Sequence, residues 1–440
     1  MLYNTRALAI DSSGNVFVAG RTYSSDYPTT EGAYDTTYDK SGDIFVSKLD
    51  SNLSSLLSST FIGRSIEGSS EDTASALAID LSGDVFVAGH TGSSDYPTTE
   101  GAYDTTHNGY RDVFVSKFDS NLSSLLSSTF IGGIGNVNDY AEALAIDSSG
   151  DVFVAGRTHS SGYPTTIGAY DTVHNGYHDA FVSKFDSNLT SLLLSTFIGG
   201  SDYDDAEALA IDSSGNVFVA GGTRSSDYPT TEGAYDTVYN SSDVFVSKLD
   251  SRLSSLVSST FIGGSTYDYA YALAIDSSGD VFVAGWTGSS DYPTTVGAYD
   301  TTFNGSYDVF ISKLDSDLSG EVPNIAVTPA DKDFGSVRKE TTSLPATFTI
   351  SNTGGADLVI GGVYLTGTNP YQFSIQNDTC SDQTIAPSGS CTIKAVFSPT
   401  KKTTFNALIG IDSNDPDTPT LNIELTGTGV EDHEEEHEEH

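Results

Sequence analysis

The chain repeats one stretch of about 66 residues five times, and this repeat constrains the fold more than any other feature of the sequence. The segment A-[IL]-D-x-S-G-[ND]-V-F-V-A-G marks each repeat, and its aspartates are spaced by 69, 67, 65 and 64 residues. A period of this length that is rich in Val, Phe, Gly and Asp is typical of a radial or stacked β architecture. The marker aspartates are Asp11, Asp80, Asp147, Asp212 and Asp276.

Each repeat predicts four short antiparallel strands, as the fourth repeat illustrates. Residues 206–212 form an apolar strand, and residues 217–221 form a second one after a turn whose glycine allows a positive φ. A connection that contains Pro229 then leads to strands at residues 243–250 and 256–264. Strands that are apolar on both faces are typical of propeller blades, because each blade packs between two neighbours. The sequence therefore predicts an all-β fold that begins with a five-repeat β-propeller.

The last repeat lacks its outer strand. The segment STFIG occurs in the first four repeats, whereas the fifth continues after Asp315 directly into a different sequence. The outer edge of the last blade would then offer unpaired N–H and C=O groups, which proteins rarely leave bare. We expect this edge to be covered by residues 322–328, or by a strand or sandwich domain of a neighbouring molecule. A contact with a neighbouring molecule, repeated head to tail, would produce a filament.

The repeat resembles a known family. The phrases DxFVSKLD, STFIGG, AxAIDSSGNVFVAG and YPTT-x-GAYD are similar to the SBBP class of β-propeller repeat, which occurs in secreted and surface proteins of bacteria and archaea. The resemblance covers residues 1–318 and implies a propeller domain. The family name implies seven blades, whereas five repeats are present here.

A second domain follows a linker at residues 319–322. The phrases DFGSV, FTISNTGGADLVI, CTIKAVFSPT and SNDPDTPTLNIELTGTG resemble the choice-of-anchor D or ASH-like immunoglobulin fold over residues 323–429. Alternation of apolar and polar residues, as in residues 347–350, supports an immunoglobulin-like β-sandwich of short strands. The resemblance implies an appendage or a surface-attachment module. Residues 430–440 form an acidic tail that contains histidines.

Composition limits the partners and the compartment. The formal net charge of −41, from 60 acidic and 19 basic residues, would repel nucleic acid and anionic lipid. No apolar stretch is long enough for a membrane span. No signal peptide is visible, so we expect that a leader has been removed or that the N-terminus is truncated. The two cysteines, Cys380 and Cys391, predict one disulfide and therefore an extracellular or cell-surface location.

One face of the propeller varies among the repeats. The turns DSSG and DSNLSS scarcely change, and both would lie on one face of an up-and-down blade. The two other connections would lie on the opposite face, and they differ in length and content. Variation within a copied repeat indicates a recognition face, and neutral drift of exposed loops is the alternative. The candidate binding residues on this face are Arg21, Tyr23, His90, Arg157, His159, Arg224 and Trp286.

Two groups of residues are candidates for metal binding. The marker aspartates could form a ring of cation ligands near the axis, but each is also placed to accept hydrogen bonds from its own turn, and we favour that role. The tail EDHEEEHEEH contains an H-E-x-x-H string without the apolar residues that a buried catalytic helix needs. We expect no required cofactor, although the acidic surface suits divalent cations such as calcium. Weak metal ligands in the tail are His433, His437 and His440.

These features favour a non-enzymatic extracellular or cell-surface scaffold or adhesion protein that self-assembles through the unpaired blade edge. Its partners would be other copies of the chain, surface glycans or surface proteins. A carbohydrate-binding lectin, in which Trp286, Tyr23 or His159 stacks on a sugar ring, is the first alternative. A propeller glycosidase or lyase is the second, and it is disfavoured because near-identical blades should not carry acids unique to one blade.

Overall fold

The protein divides into two compact units, Met1–Gly320 and Glu321–His440. The computed structural model describes residues 3–38, 42–63, 72–295, 298–320, 323–415 and 418–431. These residues form β-strands and a single-turn 3-10 helix at Pro370–Gln372, which confirms the all-β class. In the described ranges, no helix has the length and apolar character needed to cross a bilayer.

The first unit consists of five antiparallel sheets, one for each repeat, in which consecutive strands pair. The first blade contains β1 (Tyr3–Ile10), β2 (Val16–Thr22), β3 (Asp43–Leu49) and β4 (Leu56–Ile62). The second contains β5 (Asp72–Ile79), β6 (Val85–Thr91), β7 (Asp112–Phe118) and β8 (Leu125–Ile131). The third contains β9 (Asp139–Ile146), β10 (Val152–Thr158), β11 (Asp179–Phe185) and β12 (Leu192–Ile198). The fourth contains β13 (Asp204–Ile211), β14 (Val217–Thr223), β15 (Asp243–Leu249) and β16 (Leu256–Ile262). The fifth contains β17 (Asp268–Ile275), β18 (Val281–Thr287) and β19 (Asp308–Leu314).

The blades are arranged around an axis that their first strands line. The first strands of neighbouring blades contact one another, from β1 and β5 through to β13 and β17. The fourth strands lie at the far end of each sheet and are therefore outermost. The repeat pattern thus predicted both the strand order and the propeller architecture correctly.

Each blade packs one face against the following blade. We call the face that a blade turns toward the following blade its leading face, and the opposite one its trailing face. Because both faces are apolar, the junctions form the cores of the propeller, and each buried Val, Ile or Phe contributes about 1.5–3 kcal/mol. At the first junction the leading face carries Phe17, Ala19, Ile44, Val46 and Ile62, and the trailing face carries Val85, Val87, Phe114, Phe118 and Leu122. The equivalent sets meet at the other three junctions.

A backbone clip joins each blade to the following one. The connection between β2 and β3 runs along β4, where the N–H of Thr30 donates to the carbonyl of Ser59 at 3.1 Å. It then reaches the next blade, where the N–H of Tyr34 donates to the carbonyl of Leu122 at 2.9 Å. This connection therefore also covers the outer edge of its blade, a position that the sequence did not predict for it. The clip recurs in Tyr103–Leu189, Tyr170–Leu253 and Tyr235–Leu318.

The fifth blade has three strands in the described part of the chain, as predicted, and β19 forms its outer edge. The prediction that residues 322–328 cover this edge is wrong for the described part of that segment. Ile325–Thr328 forms β20, which pairs with β22 (Ala346–Asn352) in the second unit. The physical reason is burial: Ile325 packs in the core of the sandwich, and its N–H donates to the carboxylate of Asp415 at 2.8 Å.

The junctions between blades also bury pairs of aspartates. Asp243 opens the third strand of one blade, Asp268 opens the first strand of the next, and both carboxyls flank Gly263. Burial and the charge of Asp268 raise the pKa of Asp243 to about 6. Burial likewise raises the pKa of Asp139 to about 7 and that of Asp204 to about 6. Between about pH 4 and pH 6 the folded propeller therefore retains protons that these groups would release in the unfolded chain.

The second unit is a β-sandwich of two sheets around one core. The first sheet has the order β20, β22, β26 (Ser390–Phe397) and β24 (Phe373–Gln376). The second has the order β21 (Asp331–Arg338), β28 (Thr420–Val430), β27 (Thr404–Ser413), β23 (Leu358–Thr366) and β25 (Thr384–Ile385). Alternate residues of the strands point inward, as the period of two predicted, and they include the fully buried Phe348, Ile350 and Ile393.

Removing the disulfide should destabilise the sandwich by about 3 kcal/mol, because the bond restricts the unfolded chain. The structure confirms the predicted pair: Cys380 and Cys391 are joined across a sequence separation of 11 residues. Calorimetry of a Cys380→Ala/Cys391→Ala variant should show a lower melting temperature for the sandwich. The propeller transition is the internal control and should not move. Equal shifts in both transitions, or in neither, would contradict this expectation.

Candidate functional site

A β-bulge in the first strand of each described blade places one extra residue at the axis. In the third blade Ala143 pairs with Ala155 and Ala141 pairs with Gly156, so that Glu142 lies between them without a partner position. A bulge bends its strand and redirects a side chain, and bulges are common next to functional sites. The residues at the bulges are Arg6, Ser75, Glu142, Glu207 and Tyr271.

A glycine that recurs in each repeat makes the bulge possible. A Cβ atom on Gly156 would lie 1.9 Å from the carbonyl oxygen of Tyr140, so a residue with a side chain does not fit there. The same close approach, at 1.8 to 2.2 Å, occurs at the equivalent glycines, which are Gly20, Gly89, Gly221 and Gly285. The backbone at the axis is therefore copied from blade to blade, whereas the side chain at the bulge changes.

Arg157 is the centre of a cluster of charged side chains at the axis. Its Nη1 atom lies 3.3 Å from Oε1 of Glu142 and 3.6 Å from Oε1 of Glu207, and its Nε atom lies 3.6 Å from Oδ1 of Asp205. Glu142 also lies 3.8 Å from Nη1 of Arg6, which belongs to the first blade. Side chains from the first, third and fourth blades thus meet in one network, which we call the axial cluster.

Two further side chains contact the carboxylates of the axial cluster. The hydroxyl of Tyr269 donates to Oε1 of Glu207 at 2.8 Å and to Oδ2 of Asp205 at 3.1 Å. Nδ1 of His178 lies 3.1 Å from Oδ1 of Asp205. The fifth blade, through Tyr269, therefore joins the same network, and the three carboxylates are mostly buried among their partners.

Burial and neighbouring charges separate the pKa values of these carboxyls. Burial and the charge of Glu142 raise the pKa of Glu207 to about 7. Burial raises the pKa of Glu142 against the opposing charges of Arg157 and Arg6. Burial acts on Asp205 as well, but contact with His178 and the charge of Arg157 outweigh it and lower its pKa. The axial cluster thus combines one carboxylate that stays ionised with one carboxyl that titrates near neutral pH.

Aromatic side chains extend the axial cluster on the fifth blade. The indole of Trp286 is nearly parallel to the ring of Tyr269, with centroids 6.2 Å apart, and it meets the ring of Tyr307 edge-on at 4.7 Å. Tyr307 and Tyr271 are exposed to solvent. Exposed aromatic rings beside carboxylates and an arginine can bind a ligand that has both apolar faces and hydroxyl groups.

Several predicted binding residues lie around this cluster. The ring of His90 meets that of Tyr140 at 4.7 Å, and the guanidinium of Arg157 lies 4.5 Å from the centre of the same Tyr140 ring. Burial and the charge of the nearby arginines lower the pKa of His90 to about 3, so His90 is neutral. His159 lies 4.7 Å from His178, ring centre to ring centre. His90, Arg157, His159 and Trp286 are thus brought together.

The remaining predicted residues lie farther from the carboxylates. The guanidinium of Arg224 lies 5.3 Å from the centre of the Tyr203 ring, and that ring in turn contacts His178 at 4.6 Å. The guanidinium of Arg21 lies 4.3 Å above the ring of Tyr23, which forms a cation–π pair on the first blade. Arg224 therefore borders the axial cluster, and Arg21 forms a cation–π pair with Tyr23.

The predictions from sequence missed Glu142, Asp205, Glu207 and Tyr269, which belong to the first strands rather than the loops. The signal was present in the segment D-x-A-x-A-L-A-I of the second to fifth blades, in which the two variable positions differ. The apolar character of that segment indicated a copied structural strand. These acids are specific to the third and fourth blades, so the similarity of the blades does not argue against an enzyme at the axis.

The marker aspartates act as turn residues. Oδ1 of Asp147 accepts hydrogen bonds from the N–H groups of Ser149 at 2.8 Å and Asp151 at 3.0 Å. Nζ of Lys184 lies 2.9 Å from Oδ2 of the same Asp147. Each marker aspartate stabilises its own turn in this way, which is the role that the sequence favoured over a ring of cation ligands.

Metal-ion ligands do not form a ready-made site in the part of the chain that the structure describes. No group of three or more His, Cys, Asp or Glu side chains in those residues is arranged to hold a metal ion. The tail histidines predicted as weak ligands lie outside the described residues, and they are His433, His437 and His440.

Solved structures resemble parts of the chain at low identity. The ASH/PapD-like domain of human CEP192 is 14% identical, with 26% of this chain and 89% of that chain covered and a TM-score of 0.20. A GH43_1 enzyme from Xanthomonas citri is 9% identical, with 71% of this chain and 87% of that chain covered and a TM-score of 0.30. Likenesses with TM-scores this low carry no argument about function. No curated protein sequence matches the chain.

Family comparisons match both units of the chain. The SBBP β-propeller repeat matches residues 2–28, 129–164 and 259–293. The HYDIN/CFA65/VesB-like Ig-like domain matches residues 323–428. The chain therefore carries β-propeller repeats of the SBBP family followed by an Ig-like domain of the HYDIN/CFA65/VesB-like family.

Proposed function

We propose that this protein is a non-enzymatic adhesion scaffold, located outside the cell or on its surface, that binds its partner through the axial cluster. A propeller joined to an Ig-like domain is an architecture suited to an extracellular scaffold or binding protein. One observation carries the proposal. The backbone at the axis has the same bulge in each described blade, yet the side chains that meet there differ from blade to blade. The disulfide supports an oxidising compartment.

A surface glycan is the ligand that this surface suits best, and a surface protein is the other partner class. The aromatic group of Trp286, Tyr271 and Tyr307 offers rings on which the apolar face of a sugar can stack. Arg157 and the carboxylates beside it offer donors and acceptors for hydroxyl groups. The side chains at these positions differ among the blades, as expected if each contacts a different part of an asymmetric ligand.

Replacing Trp286 by alanine should weaken glycan binding at least about tenfold, which corresponds to about 1.4 kcal/mol of lost stacking. The measurement is a glycan array with the full chain, followed by titration of the best ligand with each variant. The matched controls are Leu344→Ala, at an exposed apolar residue of the sandwich, and Asp147→Ala, in a marker turn. The first should change nothing, and the second should lower stability without lowering affinity. Equal affinity of Trp286→Ala and wild type for each bound glycan would contradict the proposal.

A glycosidase is the second candidate, and the pair of Glu142 and Glu207 favours it. Glycosidases use two carboxyl groups, one of which is protonated at the working pH, and the pKa of Glu207 is about 7. Both side chains, however, are mostly buried and engaged by Arg157, which favours binding without hydrolysis. Sugar release by the wild type that is lost in a Glu207→Gln variant would overturn the non-enzymatic proposal.

We also propose that copies of the chain associate with one another, because a scaffold of this kind displays its binding sites more effectively as an assembly. The outer edge formed by β19, in the part of the chain that the structure describes, supports this proposal. Sedimentation velocity over a wide range of concentrations tests it. A mass that stays at one chain under all conditions would contradict it.

We propose that the protein needs no cofactor and that calcium, where it binds, only stabilises the propeller. The buried aspartate pairs between blades are where it would bind, since Oδ1 of Asp243 accepts no hydrogen bond from the described residues. A divalent cation there would replace the protons that the pairs hold, which makes the effect dependent on pH.

A further inference from the structure

The leading face of the fifth blade is exposed to solvent. Val309 and Ile311 on this face are 81% and 77% exposed. The equivalent residues of the first blade, Ile44 and Val46, are completely buried against the second blade. The fifth blade therefore displays, uncovered, one half of the interface that joins each earlier blade to its successor.

The trailing face of the first blade is exposed in the same way. Leu53 is 62% exposed, and Leu8 and Ile10 on the same face are 61% and 62% exposed. The residues equivalent to Leu53 in the other blades are completely buried, and they are Leu122, Leu189, Leu253 and Leu318. The first blade therefore displays the other half of the same interface, and the fifth blade does not cover it.

The backbone clip is also unformed at both ends of the propeller. Tyr299 holds the position equivalent to Tyr34, and its side chain is fully exposed. Leu53 holds the position equivalent to Leu122, whose carbonyl accepts the clip at 2.9 Å from Tyr34. Within the described residues no backbone hydrogen bond joins Tyr299 to Leu53. The chain thus carries the donor of one further clip on its fifth blade and the acceptor of that clip on its first blade.

We propose that the leading face of the fifth blade packs on the trailing face of the first blade of a second copy of this chain, with Tyr299 clipped to Leu53. This inference rests on the proposed self-association and names its surface. The occupant is a second copy because the four internal junctions show which side chains fit each face, and this one chain displays both sets. The contact continues an interface that the molecule already uses.

The contact is heterologous, since two different faces meet. A heterologous contact closes into a ring if its rotation allows and otherwise forms a filament. The net charge of −41 repels approaching copies, and salt screens that repulsion. Association should therefore strengthen between about 50 mM and about 500 mM NaCl, as expected for an apolar interface between strongly acidic molecules.

Single aspartate substitutions on either face should abolish association. Ile311→Asp places a charge on the leading face and Leu53→Asp places one on the trailing face, and each should lower the association constant at least about a hundredfold. Both residues are exposed in the single molecule, so the variants should fold, which circular dichroism and thermal melting verify. The matched control is Ile167→Asp, at a fully exposed residue of the third blade, which should associate like the wild type.

Mixing the two variants gives the decisive measurement. The Ile311→Asp chain keeps an intact trailing face and the Leu53→Asp chain keeps an intact leading face, so an equimolar mixture should form a one-to-one dimer and no larger species. Sedimentation velocity distinguishes these masses. A wild type that stays monomeric would overturn both the self-association and this interface. A wild type that associates while both variants associate equally well would overturn this interface alone. Variants that are monomeric both separately and mixed would indicate a symmetric contact and would also overturn it.

Discussion

Raising the pH from 5 to 8 should lower the free energy of unfolding of the propeller by at least about 3 kcal/mol. The cause is the burial of aspartates at the blade junctions, which raises the pKa of Asp139 to about 7 and that of Asp204 and Asp243 to about 6. Each pKa unit of difference between folded and unfolded protein corresponds to about 1.4 kcal/mol. Glu207 in the axial cluster, with a pKa of about 7, acts in the same direction.

The sign follows from the protons that each state binds. Above the ordinary aspartate pKa of 3.8, the unfolded chain releases these protons while the folded chain retains them. Their stabilising contribution is therefore complete below about pH 4 and is lost as the pH rises to about 7. Carboxyls with lowered pKa values, such as Asp205, behave in the opposite way, but their effect falls below about pH 4 and outside this window. His90, whose pKa is lowered from 6.5 to about 3, acts inside the window, because at pH 5 the unfolded chain binds a proton that the folded chain does not, and it offsets about 2 kcal/mol of the loss.

Urea denaturation at pH 5, 6, 7 and 8 measures this dependence. An Asp243→Asn variant should be less sensitive to pH and more stable than the wild type at pH 8, because one buried ionisable group is gone. The control is Asp317→Asn, whose side chain is 81% exposed and which should keep the wild-type slope. A propeller that becomes more stable between pH 5 and pH 8 would contradict the raised pKa values of the buried aspartates.

Thermal denaturation separately tests the proposal that calcium binds at the aspartate pairs. Millimolar calcium at pH 8 should raise the melting temperature of the propeller, whereas at pH 5 it should have little effect because protons compete. The Asp243→Asn variant should respond less than the wild type. A melting temperature that calcium leaves unchanged at pH 8 would remove calcium from the proposal without affecting the pH dependence.

Substituting alanine for Gly156 should destabilise the propeller by about 3 kcal/mol, at the upper end of the range for overpacked sites. The new Cβ would lie 1.9 Å from the carbonyl oxygen of Tyr140, and neither strand can move away without breaking the ladder that holds the bulge. Because the bulge places Glu142 beside Arg157, the variant should also weaken ligand binding. Denaturation in guanidinium chloride measures the loss of stability, and titration with the glycan measures the loss of binding.

Gly168→Ala is the matched control, since it makes the same substitution in the same blade. Gly168 has a φ of +84°, and a Cβ atom there would have no heavy atom of another part of the chain within 4 Å, so only backbone strain opposes alanine. That strain costs about 1–2 kcal/mol, and ligand binding should not change. Equal destabilisation by the two variants, or normal binding by Gly156→Ala, would show that the close approach does not hold the bulge in place.

Much of the fold could be predicted from the sequence because its signals are local. Turn residues and short apolar segments recur at a nearly constant period, so the blades and the turns of Asp147 and its equivalents could be predicted. The missing strand could be predicted because one recurring segment is absent from the fifth repeat. The candidate site could be predicted only in part. Arg157 and Trp286 stood out because they interrupt a copied phrase, whereas Glu142 and Glu207 lie in strands whose apolar pattern indicated a structural role.

The sequence by itself determined the propeller, the sandwich and the disulfide, because period, turn chemistry and cysteine spacing act over short distances along the chain. Only the tertiary structure decided which residues share the axis. A bulge in each first strand shifts the register by one residue, and blades far apart in sequence then bring Glu142 and Glu207 against Arg157, and Arg6 against Glu142. The tertiary structure also decided which copies of an identical apolar face are buried. Leu53 and Leu122 have the same neighbours in sequence, yet only Leu122 is covered, because burial depends on the preceding blade and not on the local chain.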